Sequence, residues 1–169
     1  MKLLALGFLA VAAYAQKIEV EFDQNVDFSR FRTFAIREGK LNSKNPSLNS
    51  ELVRKKIDGD IRKDFEAKGL TFVAEGRADL NVRYSLGAAR SVTREAYPAG
   101  WRGWGTRVVR VPHTEGTLVI DLRDPSTKSL VWRAIAREEK SNASQVEAKL
   151  DDMVRKAIEK YPPKAPKEK

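Results

Sequence analysis

The 169-residue sequence predicts an α+β fold. The expected architecture is a two-layer sandwich: a mostly antiparallel sheet of four to five strands with two helices on one face, in the order β-β-α-β-β-β-α. Three observations lead there. Several segments alternate apolar and polar residues with period two, the mark of a strand with one buried face. Two segments repeat apolar residues every three or four positions, the mark of a helix with one buried stripe. Each element therefore has a single apolar side, and one sheet with its helices on one face buries all of them.

In chain order, Lys17–Asp23 alternates cleanly and predicts a first strand with Ile18, Val20 and Phe22 inward. Asp27 is placed to cap a short helical turn in which Phe28 and Phe31 share a face. Thr33–Ile36 is a second short strand. Residues 37–49, rich in Asn, Ser, Lys and Gly, read as a loop. Leu48–Lys68 is an amphipathic helix with a stripe of Leu52, Val53, Ile57, Ile61 and Phe65, ended by Gly69 in the left-handed conformation. Gly59 weakens that helix, and a close crossing would explain its presence.

Leu70–Val73 is a brief extended piece. Asp79–Leu86 is a strand with Leu80, Val82, Tyr84 and Leu86 on one face. Residues 87–112 are the compositional outlier, with Gly, Trp, Tyr and five Arg, and read as a long loop that feeds a strand through 108–111. Gly116–Arg137 predicts a hairpin. Leu118, Ile120 and Leu122 pack with Leu130, Trp132 and Ala134, and Asp124-Pro125 forms the turn, its carboxylate accepting backbone N–H groups ahead of it. The final helix has Ser144 and Glu147 spaced as a capping box. Val146, Leu150, Met153, Val154, Ala157 and Tyr161 form its stripe, Asp151–Arg155 and Asp152–Lys156 are i,i+4 pairs, and Pro162 stops it.

Residues 1–15 are excluded from the domain. Lys2, the apolar run Leu3–Ala13 and the Ala13-Tyr14-Ala15 cleavage pattern predict a signal peptide cut between Ala15 and Gln16. The apolar run is too short to span a bilayer. Residues 16–163 are then one domain, and 164–169 a disordered basic tail. The expected location is the periplasm or outside the cell. The chain has no cysteine, which excludes disulfides, thiolate catalysis, cysteine metal sites and a lipidated cysteine. The formal charge of +9, or +8 once Lys2 is removed, favours anionic partners such as lipid or glycan. The positive charge is dispersed rather than clustered, so nucleic acid is not the expected partner.

Three phrases carry a family resemblance. Residues 26–35, VDFSRFRTFA, resemble an N-terminal motif D-F-S-x-[FY]-x-T-F. Gly116–Leu122 with Asp124 and Lys128–Arg133 resemble a core GTLVIDLxDxxTKxLVWR, and Tyr161-Pro162-Pro163 a closing YPP. Together they resemble the bacterial envelope domain-of-unknown-function family 4136, over about Ile18–Pro163. The resemblance implies a small α/β domain of the periplasm or outer membrane and brings no catalytic residues. Many members resemble lipoproteins, and this sequence departs from them in lacking the lipid-accepting cysteine.

No catalytic, cofactor or metal residues are expected. His113 is the single histidine, and there is no G-x-S-x-G elbow, Walker loop or G-x-G-x-x-G. The candidate interaction residues are Trp101, Arg102 and Trp104 with Tyr97 and Arg107, because Trp and Arg most often carry binding energy at interfaces. The alternative for this segment is a cover folded over the open sheet face. The leading expectation is a non-enzymatic binding module whose partner is an envelope protein, glycan or anionic lipid. The alternatives are a hydrolase of envelope polymers acting through Asp79, Asp121 or Glu115, and a weak binder of anionic lipid or glycan.

Overall fold

A computed structural model describes residues 16–98, 106–140 and 142–164. The predicted signal peptide and residues 165–169 of the tail lie outside them. Among the described residues six strands form one mixed sheet: β1 (Lys17–Phe22), β2 (Thr33–Leu41), β3 (Thr71–Phe72), β4 (Leu80–Pro98), β5 (Thr106–Asp124) and β6 (Ser129–Lys140). Their spatial order is β1-β6-β5-β4-β2-β3. The meander β4-β5-β6 and its neighbour β1 are antiparallel, while β2 runs parallel to β4 and β3 parallel to β2. Helices α1 (Glu51–Ala67), α2 (Ala143–Glu147) and α3 (Leu150–Ile158) cover one face. The α+β sandwich is as expected, with one strand more because the brief piece at Thr71 pairs as an edge strand.

The core lies between the helices and the alternate residues of the sheet. Leu80, Val82, Tyr84 and Leu86 of β4, Leu118, Ile120 and Leu122 of β5, and Trp132, Ala134 and Ala136 of β6 are all buried. Val53, Ile57, Ile61 and Phe65 meet them from α1, and Leu150, Met153, Val154 and Ile158 from α3. The three family-like phrases converge here. Tyr161 meets Phe28, Phe65 and Trp132 edge to face with ring centroids 5.5–5.9 Å apart. Arg30, from the first phrase, reaches the buried Asp124 of the second at 2.5 Å. Asp124 also accepts from Ser126 N at 2.7 Å, the turn contact expected of it. These phrases are a packing signature: aromatic rings bury large area at preferred angles, and a buried carboxylate needs its donors.

Several expectations change. Strand β2 continues to Leu41, so part of the 37–49 loop is strand, paired with β4 through a bulge at Ile36/Glu38. Leu52 is exposed, because the buried α1 stripe repeats every four residues from Val53 and leaves Leu52 to one side. Helix α1 is capped by Ser50, whose hydroxyl accepts from Val53 N, and Gly69 adopts φ +87° as expected. No close crossing explains Gly59, since a Cβ there would meet open space.

In the hairpin a bulge at Leu122/Arg123 adds one residue to β6. Val131 is buried beside Trp132, and Leu130 is only half-buried. The last helix is two helices. Asn142, not Ser144, is the cap, accepting from Gln145 N at 3.0 Å; Asn caps as well as Ser, and the earlier start buries Ala143. Lys149 N bonds Val146 O between the two helices. Asp152 pairs with Lys156 at 2.8 Å as expected, whereas Arg155 takes Asp152 and Glu159 instead of Asp151.

Candidate functional site

The largest departure from the sequence reading lies at residues 87–112. They are mostly strand. Pairing of β4 with β5 runs unbroken from Asn81↔Arg123 to Pro98↔Thr106. Strand β2 leaves β4 after Leu86, and β6 leaves β5 at Thr114. Residues 91–98 and 106–113 therefore pair only with each other, as a two-stranded ribbon roughly 25 Å long at ~3.4 Å per residue. Val92, Thr93, Val108, Val109 and Val111 suit a strand. Pro112 is tolerated because β5 has no further neighbour there. The glycines and prolines had pointed to a loop, but they concentrate at the ends of this ribbon.

Tyr97 and Arg107 are register partners on the second-to-last rung. Trp101, Arg102 and Trp104 belong to residues 99–105, which join the two arms and lie outside the described residues.

The open face of the sheet is charged. Register aligns Glu21, Arg133, Asp121, Arg83 and Glu38 across five strands, alternating in sign. Arg133 holds Asp121 through two bonds, 2.7 and 2.8 Å long, the bidentate geometry that makes such pairs strong. One row along, Glu19 sits between Arg137 and Lys17, each at 2.8 Å, and these hydrogen bonds hold its carboxyl down at about 2. A face of this kind is stable in water, so a cover is not a physical requirement.

The carboxylates considered for hydrolysis have structural partners. Asp79 accepts from the N–H groups of Arg32 and Thr33 and from the Thr33 hydroxyl, all at 2.9 Å, which pulls its pKa below the usual range. This ties the start of β2 to the start of β4. Asp121 is held by Arg133. Glu115 accepts from the Thr117 hydroxyl at 3.3 Å, and Glu139, opposite it in register, is bound by His113 at 2.5 Å. Asp79 and the buried Asp124 do line one cleft of about 370 Å³, beside Arg30 and Arg77. A general acid needs a proton to give near neutral pH, and Asp79 is held in the opposite sense. Among the described residues no three His, Asp or Glu side chains stand together as a metal ion requires.

The geometry defines a class: a two-layer α+β domain whose central strands β4 and β5 continue as a long β-ribbon. The chain belongs to the family Domain of unknown function (DUF4136), which matches residues 18–163. Among solved structures it is similar to a PDZ domain protein from Parabacteroides distasonis, with a TM-score of 0.61 and 14% identity over 87% of this chain. The chain spans only 35% of that longer protein, and the likeness shows the fold alone. PelC from Paraburkholderia phytofirmans, a dodecamer, aligns at a TM-score of 0.49 and 13% identity, covering 84% of this chain and 95% of its own. No curated protein matches the sequence. Among the described residues no helix is long and apolar enough to cross a membrane.

Proposed function

We propose that this protein is an exported, non-enzymatic binding domain of the bacterial envelope whose contact element is the ribbon. Trp101, Arg102 and Trp104, in the segment joining its arms, and Tyr97 and Arg107 at its end would make the contacts. One observation carries the reading: β4 and β5 continue for residues 91–98 and 106–113 with no sheet neighbour. Among the described residues of these two strands, the fully buried ones stop at Leu86 and resume at Gly116, with Ala88 half-buried against the core and Val92, Arg110 and Pro112 exposed. A two-stranded extension without a sheet neighbour, its arms joined by a segment that holds Trp and Arg, is suited to reaching a partner. The bonds from Arg32 and Thr33 to Asp79 and from Arg133 to Asp121 support binding over hydrolysis.

The experiment is a comparison of envelope-extract pull-downs by wild type and by Trp101→Ala with Trp104→Ala. The wild type is expected to retain a protein or glycan that the double variant loses. Identical profiles from two equally folded proteins would remove the reading. Export is tested separately by N-terminal sequencing of the envelope-fraction protein, expected to begin at Gln16.

A further inference from the structure

A groove of about 920 Å³ opens at the foot of the ribbon, on the side where α2 begins. Its walls are the turn at residues 42–46, the strand rungs at 88–90 and 112–114, and Asn142 with Ala143. This volume falls within the roughly 300–1,000 Å³ typical of ligand sites. Lys44 and Arg90 are exposed in it, and among the described residues no Asp or Glu lines it. Neither cation is paired with a carboxylate among the described residues, whereas His113 is held by Glu139. Asn42, Asn45, Thr114 and Asn142 line it together with Pro46, Ala88 and Pro112.

The charge continues along the ribbon. Alternate positions on the rungs above the groove are Arg90, Val92 and Arg94 on β4, opposite Thr114, Pro112 and Arg110 on β5. None is acidic. Arg94 is the register partner of Arg110. The described ends of this series, Arg90 and Arg110, are exposed.

We infer that this groove and the arginine rungs above it form a binding track for an acidic polysaccharide. Carboxylates spaced along a flexible polymer would meet Lys44, Arg90 and Arg110 in turn. Ring hydroxyls would meet the asparagines, and sugar C–H faces the proline and alanine surfaces. A bilayer is the less suitable occupant, because Lys44 and Arg90 line a concave groove rather than a raised apolar surface. The assignment goes beyond the proposed contact role of Trp101 and Trp104 and depends on different residues.

The test is isothermal titration of the full chain with polygalacturonate. Fully methyl-esterified polygalacturonate and phosphatidylglycerol vesicles are the other two arms. Binding to the acidic polymer, weakening as salt rises, is expected, with none to the esterified form. Lys44→Ala with Arg90→Ala should lower affinity about tenfold or more, the scale of losing charge-assisted hydrogen bonds. Its unfolding midpoint should stay unchanged, since both side chains are exposed. Retained polymer binding by Trp101→Ala with Trp104→Ala would place the affinity in the groove even if the pull-down reading failed. No binding by wild type, equal binding by the Lys44/Arg90 variant, or a preference for vesicles would each overturn the inference.

Discussion

Gly116 opens the GTLVIDL phrase, and its value is steric. A Cβ built there would lie 2.3 Å from Val146 Cγ1, with the other two nearest atoms also belonging to Val146. Val146 is fully buried on α2, and a β-branched side chain has little rotamer freedom with which to retreat. Gly116→Ala therefore overpacks the junction between β5 and α2. Such insertions cost ~1–3 kcal/mol. At about 2–4 °C per kcal/mol for a chain of this size, the thermal midpoint should fall by a few degrees to roughly 12 °C. Val146→Ala alone deletes two buried methyl groups and should cost about 2 kcal/mol. In the double variant the new methyl enters the space that Val146 vacates. Urea unfolding of all four proteins measures the coupling, expected to be at least ~1 kcal/mol less destabilising than the sum. Additivity within about 0.5 kcal/mol would refute the contact as the reason for the glycine.

Three further outcomes are expected. Gly59→Ala, in the middle of α1 with open space where its Cβ would stand, should stabilise the protein by roughly 0.5–1 kcal/mol in denaturant unfolding. Asp60 has its carboxyl pKa raised, first by burial, with nearby Asp151 adding to it, and Asp60 Oδ2 is buried without a hydrogen bond. Its folded pKa lies above the unfolded one, so the ionised form destabilises the fold above that raised value and the loss disappears as pH falls through it. Asp60→Asn should therefore raise the midpoint at pH 7 and leave it unchanged well below the carboxylate range. Arg30→Ala leaves the buried Asp124 with Ser126 N but without its cation, at a cost of ~1–3 kcal/mol read from urea unfolding, and Arg30→Lys should recover part of it.

Much of the fold was legible because its signals are local. The period-two strands at 17–22, 80–86 and 117–122, the four-residue stripe of α1, the Asp27 cap and Gly69 each follow from a few neighbouring residues. The same holds for the Asp124 turn. Errors came where local cues conflicted with distant ones. Gly, Pro and Trp at residues 87–112 suggested a loop, yet each arm of the ribbon is held by the opposite arm. The strand expected at 108–111 is there; the β-branched pair Val92-Thr93 was the signal for the other arm, and a strand there sets Arg90 and Arg94 at alternate positions. Lys44 had no such signal, since it joins Arg90 only through the packing of the 42–46 turn.

By itself, the sequence determined which residues seek burial, which turns are possible and the α+β class, since these depend on side-chain chemistry and short-range backbone geometry. Tertiary structure alone decided the rest: the sheet order, the parallel placement of β2 beside β4, the bulge that buries Val131, the union of Arg30 with Asp124 and the groove at the foot of the ribbon. Each brings together residues far apart in the chain, and that pairing depends on how the layers pack rather than on any local pattern.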